Sequence, residues 1–167
     1  FAEPVDLDGR LERLGWHTLD RTRVMVAPSL AGLAPGGVAG PGDGDPLPAG
    51  LRRQRLDARA YALAVGALRG SARAQVEAQV QRLQACPVPY VGWAWTQDGA
   101  VVACGQYARE AECVGLYDVF VAPGWRNRGL ARQLCAELLA RAAAEGARLA
   151  YLQVDTDNAP AVAAYRR

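Results

Sequence analysis

Lysine is absent from the 167 residues, so all nineteen cationic side chains are arginine. Histidine occurs once, at His17, and serine only at Ser29 and Ser71, which excludes His-rich metal sites and argues against a Ser/His/Asp triad. We therefore expect no metal. The four cysteines, Cys86, Cys104, Cys113 and Cys135, form no C-x-x-C pair and read as free thiols of a reducing cytoplasm. No run approaches eighteen consecutive apolar residues, so the sequence offers no membrane-spanning helix. A formal charge of +2 is too small to argue for a nucleic-acid partner. What is present is globular: 51% apolar and 22% charged residues, enough for one ordinary domain. Alanine makes up about one residue in five, a compositional bias without chemistry of its own.

Three stretches follow one another. Residues 1–28 read as a short α–β segment: a helix from Asp6 to Leu14 capped by Asp6 and stopped by Gly15, then a strand over Trp16 to Ala27. Residues 29–50 are rich in glycine and proline, with little to pack, and read as a linker. Residues 51–167 alternate helical and strand patterns. Leu56 to Leu68 places Leu56, Ala60, Leu63, Ala64 and Ala67 on one face. Ser71 reads as the N-cap of a helix to Gln84, with Val76, Val80 and Leu83 inward. Strands follow over Tyr90 to Thr96 and Ala100 to Arg109, joined by a Gln97-Asp98-Gly99 turn, and then over Cys113 to Val121. A helix from Gly129 to Glu145 presents Leu130, Leu134, Leu138 and Ala142 to a core and Glu137, Arg141 and Glu145 outward. Arg148 to Val154 is an apolar run suited to a strand buried on both faces, and a last helix opens near Asn158. The order predicts a mixed α/β (α+β) sheet with a parallel crossover between the last two strands.

The most informative residues lie where the strand ending at Val121 runs through a loop into the long helix. The loop carries Arg126, Asn127, Arg128 and Gly129, and the helix opens with Leu130, Ala131 and Arg132. First-turn N–H groups have no intrahelical partner, and the helix dipole adds about half a positive charge there. With the arginines and a glycine that admits a close approach, this is a phosphate-binding arrangement. Taken alone, R-x-x-G-x-A also suits a plain basic turn.

The context decides between them. Arg126-Asn127-Arg128-Gly129-Leu130-Ala131 resembles the R/Q-x-x-G-x-G/A pyrophosphate signature of the GNAT N-acetyltransferase superfamily. The stretch from Leu152 to Tyr165, with Asn158, Ala161 and Tyr165, is similar to that superfamily's fifth strand and N-x-x-A-x-x-x-Y helix. The resemblance covers Tyr90 to Arg167 well, and 51–84 in helix order only. It implies a GNAT-like fold and acetyl-CoA as cosubstrate. Backbone groups of Val119, Phe120 and Val121 would hold the pantetheine arm, and N–H groups of residues 126–132 the pyrophosphate. Asn158 would bond the pantetheine end or cap the helix, and Tyr165 would act as general acid beside the thioester sulfur. The acidic pair often found on the preceding strand, as in spermidine/spermine acetyltransferases, reads Tyr117-Asp118 here. That leaves Asp118 as the catalytic or amine-binding carboxylate, with Glu110 and Glu112 as looser candidates.

The resemblance thus implies a cytoplasmic N-acetyltransferase acting on a small-molecule or protein amine, alone or as a homodimer. A non-catalytic acyl-CoA-binding sensor is the alternative that the missing glutamate permits. An amine of pKa about 10.4 is protonated at neutral pH, and removing that proton costs roughly 4–5 kcal/mol, so a proton acceptor is required. Members of the superfamily continue past the tyrosine with a Leu-Gly-aromatic turn and further strands. Leu14-Gly15-Trp16 repeats that turn, so 1–28 resembles the tail of an upstream copy in a tandem protein. On this reading the edge of the Arg148 to Val154 strand needs a cover. The candidates are a tail beyond Arg167, a second subunit, or the Trp16 to Ala27 strand folding back across the linker.

Overall fold

The structure, a computed structural model, describes residues 6–32 and 49–165. The stretch 33–48, most of the expected linker, lies outside the described residues, as do 1–5 and 166–167. The elements in chain order are α1 (Leu7–Arg13), β1 (Thr22–Ala27), β2 (Arg52–Leu56), α2 (Ala58–Arg69), α3 (Arg73–Ala85), β3 (Tyr90–Gln97), β4 (Ala100–Glu110), β5 (Cys113–Val121), a 3₁₀ turn (Pro123–Trp125), α4 (Leu130–Ala144), β6 (Leu149–Asp155) and α5 (Ala159–Tyr165). Six strands form one sheet in the order β1-β6-β5-β4-β3-β2. Every neighbouring pair is antiparallel except β5 and β6, which are parallel and joined by the α4 crossover. The mixed sheet is the expected fold class.

One sheet face carries α4. Its Leu130, Leu134 and Leu138 are fully buried against Trp95, Ala103, Tyr107, Val114 and Leu116. Burial of each such leucine is worth about 1.5–3 kcal/mol. The other face carries α2 and α3, packed on Ala94, Cys104, Tyr90 and Phe120. Asp57 caps α2 by accepting the Ala60 N–H at 2.8 Å, and Gly70 ends the helix at φ +67°.

Several expectations need correction. The buried stripe of α2 is Tyr61, Ala62, Val65 and Gly66, while Leu63 is half exposed: the helical period holds and its phase is turned. The N-cap of α3 is Ala72, whose N–H donates to the Gln75 side chain at 3.0 Å, so Ser71 does not cap it. The Asp6 carboxylate pairs with Arg13 at 3.0 Å instead of capping α1. Strand β2, with Arg52, Arg53 and Arg55, was not legible: as an edge strand it has no apolar alternation to show. Its Arg53 reaches Glu137 of α4 at 2.7 Å, and Arg141 binds the same carboxylate at 2.8 Å while stacking 3.9 Å from the Trp93 ring. Glu137 is therefore buried, 2% exposed, and not outward. Strand β6 is buried on one face only: Ala150 and Val154 are covered while Gln153 and Asp155 are open. Leu30, inside the expected linker, is buried and its N–H donates to the Arg148 carbonyl at 2.8 Å.

The edge of β6 is covered by β1, paired antiparallel from Thr22↔Asp155 to Ala27↔Ala150. Of the three covers considered, the folding-back strand is the one present.

Candidate functional site

Strand β5 is irregular where the site lies. Cys104 of β4 pairs with Phe120 and Gln106 pairs with Tyr117, so Gly105 alone faces both Asp118 and Val119. This is a β-bulge, and Asp118 takes φ +51° within it. The parallel pairing of β5 with β6 ends at Leu116↔Leu152, immediately before the bulge. Beyond that rung β6 continues with β1 on one side only, so the two central strands part and leave a cleft.

A cavity of about 830 Å³ fills the cleft on the α4 side. Val119, Phe120 and Val121 form one wall, Arg126, Asn127, Gly129, Leu130, Ala131 and Arg132 the end, and Asn158 and Tyr165 the other wall. Eleven of the thirteen residues singled out from the sequence thus meet around one space. Of the two others, Arg128 turns away, its guanidinium 4.8 Å from the Trp125 ring centroid, and Asp118 faces a neighbouring cavity.

The loop has the features an anion needs. Pro123–Trp125 form a 3₁₀ turn, Asn127 takes φ +61°, and Gly129 caps α4 at φ +78° with nothing within 4 Å of where a Cβ would stand. The N–H groups of Leu130, Ala131 and Arg132 have no protein acceptor among the described residues. Arg126 and Arg132 add positive charge, and the described residues that line the cavity include no carboxylate. Arg126 is itself anchored: its Nε donates to the Val121 carbonyl at 3.1 Å and its guanidinium lies over Phe120. That carbonyl is therefore already engaged. These residues fit a diphosphate with an attached polar arm.

A second cavity, about 340 Å³, opens on the α2–α3 face and is lined by Arg69, Arg82, Gln106, Tyr117, Asp118, Gln153 and Asp155. Val119, Asn158, Ala161 and Tyr165 line both cavities, so the two spaces meet at the tyrosine. Burial, and to a lesser degree Cys135, pushes the Tyr165 phenol up to about 12, which keeps it protonated at neutral pH. Asn158 Oδ1 accepts the Ala161 N–H at 3.2 Å and so also caps α5.

Asp118 is held on every side. Its carboxylate accepts from Arg69 at 2.9 Å, Gln106 at 2.9 Å and Gln79 at 3.1 Å, and its carbonyl accepts the Tyr61 hydroxyl at 3.0 Å. Tyr117, at the position of the missing glutamate, shares a hydrogen bond of 2.7 Å with Tyr151. Burial and that bond raise its phenol well above the ordinary range. Gly115 makes room for the ring, since a Cβ there would stand 2.5 Å from the Tyr117 oxygen. Glu110 and Glu112 lie at the opposite end of β5, where Glu112 pairs with Arg148.

Sequence reasoning missed Gln106, Gln79 and Arg69. Gln106 was the one with a signal: a fully buried amide on the face that Cys104 and Ala108 share implies a polar partner.

A family model described as the acetyltransferase (GNAT) family matches residues 62–167. No curated protein matches the sequence. Among solved structures, a tandem GNAT protein from the clavulanic acid biosynthesis pathway is 18% identical with a TM-score of 0.72, covering 99% of this chain and 55% of that one. A GNAT protein from Sphaerobacter thermophilus is 23% identical with a TM-score of 0.69, covering 99% and 52%. An aminoglycoside N-acetyltransferase solved with CoA is 16% identical with a TM-score of 0.57, covering 70% and 84%. The chain thus spans about half the length of the first two.

Proposed function

The chain belongs to the acetyltransferase (GNAT) family, and from that premise we propose that it is an acetyl-CoA-dependent N-acetyltransferase that acts on a primary amine by direct attack in a ternary complex. The observation that carries this reading is the meeting of the two cavities at Tyr165. A cation-lined channel end suited to a diphosphate and a polar acceptor cavity, meeting at a shared protonated phenol, are parts that acyl transfer uses.

Acetyl-CoA supplies the acyl group as an activated thioester. The N–H groups of Leu130, Ala131 and Arg132, with Arg126 and Arg132, hold the diphosphate; Arg128 contributes its backbone and its stacking on Trp125. Because the Ala122 N–H pairs with Val102 of β4, strand alternation turns the peptide groups of Val121 towards the cleft. The bulge offers Val119 to the same space, where a backbone N–H can polarise the acyl carbonyl. Tyr165 donates a proton to the leaving thiolate, and the proton that the amine gives up on forming the C–N bond passes to water in the polar smaller cavity. Asp118, with three donors on its carboxylate, acts by fixing the bulge that presents Val119 to the cleft. Buried Cys104 and Cys135 have thiols pushed up to about 11 and about 12, so neither offers a thiolate at neutral pH for a covalent intermediate.

One observation favours the second reading, a non-catalytic acyl-CoA sensor: the bonds already made by Asp118 leave no free carboxylate on β5 at the cleft. Thiol release from acetyl-CoA with a panel of primary amines separates the two. Amine-dependent release supports the enzyme; CoA binding without release supports the sensor.

A further inference from the structure

The smaller cavity contains two charges that the described residues leave unbalanced. Arg69 and Asp118 satisfy each other at 2.9 Å. Arg82 and Asp155 do not: among the described residues neither has an oppositely charged side chain within 4.0 Å. Among the described residues the Asp155 carboxylate accepts only the backbone N–H of Asp157, at 2.8 Å. An exposed arginine alone is ordinary. Here an arginine and an aspartate face one concave, polar space from different elements.

Their positions give that space a direction. Asp155 ends β6, and its carbonyl accepts the N–H of Asn158, a residue of both cavities, so it stands at the junction where transfer is placed. Arg82 comes from the last turn of α3 and lies by Tyr90, whose phenol its charge favours ionising against the dominant effect of burial. The Tyr90 ring packs edge-on to Tyr117 at 5.2 Å, and Tyr117 bonds Tyr151. Tyr151 and Asp155 share a face of β6 four residues apart, about 13 Å at the usual strand rise. Gln153 lies between them. The cavity therefore has an anionic end at the acyl junction and a cationic end beyond the tyrosines.

We propose that the acceptor is a primary amine bearing a carboxylate at its far end, the amine entering towards Asp155 and Tyr165 and the carboxylate pairing with Arg82. This rests on the reading of the smaller cavity as the acceptor site. A guanidinium binds a carboxylate through parallel N–H bonds, and a second ammonium in its place is repelled.

Three six-carbon amines differing only at the far end provide the test: 6-aminohexanoate, 6-amino-1-hexanol and 1,6-diaminohexane. Each is assayed for kcat/KM by thiol release and for binding to the CoA-loaded protein by calorimetry. The wild type is expected to favour the aminohexanoate over the amino alcohol about tenfold, with the diamine last. Arg82→Gln removes the preference and Arg82→Glu turns it towards the diamine, both with CoA affinity unchanged. Equal values for the three, a diamine preference in the wild type, or a preference that survives Arg82→Gln overturns the proposal. If no amine is acetylated, the calorimetry decides. Arg82-dependent binding of the aminohexanoate then keeps the acceptor assignment while removing the catalytic reading. Equal or undetected binding of all three overturns the acceptor assignment as well.

Discussion

Gly129 offers a clean separation of ligand binding from stability. It caps α4 at φ +78°, and an added side chain would point into open space. Gly129→Val therefore brings no clash in the free protein, only the strain of a β-branched residue in the left-handed region, about 1–3 kcal/mol. For a chain of this size that is a fall in Tm of roughly 2–10 °C. The effect on CoA is of another kind. With the diphosphate held on the unpartnered N–H groups of Leu130, Ala131 and Arg132, the added isopropyl group would compete with it for the open space at Gly129. A hydrogen bond to a charged group is worth about 1.5–3 kcal/mol, so losing two of them weakens CoA binding by at least about 100-fold. Gly70 supplies the control: it ends α2 at φ +67°, also with nothing within 4 Å of its Cβ position, and is not among the residues lining the larger cavity. Gly70→Val should show the same loss of Tm with CoA affinity retained, read by calorimetry with CoA. If Gly129→Val and Gly70→Val affect CoA equally, the diphosphate is not held at the start of α4.

Asp118→Ala should free the bulge, lowering kcat by about 10-fold or more and Tm by a few degrees while CoA affinity is retained; Asp118→Asn, which keeps part of the hydrogen bonding, should fall between. Wild-type turnover in both would remove the clamp from the account. Glu137→Gln leaves Arg53 and Arg141 without their shared carboxylate, and since both arginines are about a third exposed the cost is about 2 kcal/mol, measured by urea denaturation. A change under about 0.5 kcal/mol would mean that rehydrated arginines compensate fully. Alkaline pH tests the burial of Tyr165. Its phenol is raised from 10 to about 12 in the folded chain, so the unfolded chain ionises first. That contribution, about 3 kcal/mol, is intact below pH 10 and is lost as pH rises from 10 towards 12. Melts between pH 8 and 12 should fall less steeply for Tyr165→Phe, and identical slopes would contradict the burial.

The parts of the fold and site that the sequence revealed are those governed by local physics. The Leu130, Leu134 and Leu138 repeat announced α4, the Asp98-Gly99 turn announced the β3–β4 hairpin, and the loop 126–132 announced an anion site because its chemistry is backbone chemistry at one helix end. What escaped depends on distant partners. Arg53 on an edge strand has no pattern until β3 lies beside it, and Glu137 looked like a surface residue until Arg53 arrived from 84 residues away. The bulge at Asp118 and Val119 has no local mark, because it is defined by a mismatch with Gly105 on another strand. The same holds for Asp118, which is read as a free carboxylate until α2, α3 and β4 each bring a donor to it. Tyr117 was visible as the odd residue at a glutamate position, while its bond to Tyr151 and its seat over Gly115 belong to the folded sheet.

The central claim is that acyl transfer takes place where the two cavities meet, with Tyr165 as proton donor. It is tested most directly by thiol release from acetyl-CoA in Tyr165→Phe beside the wild type, with CoA affinity measured on both. The account predicts amine-dependent release by the wild type and a kcat lower by on the order of 10²–10⁴ in the variant, at equal CoA affinity. A variant that turns over as fast as the wild type would show that Tyr165 only packs between the cavities and would contradict the claim.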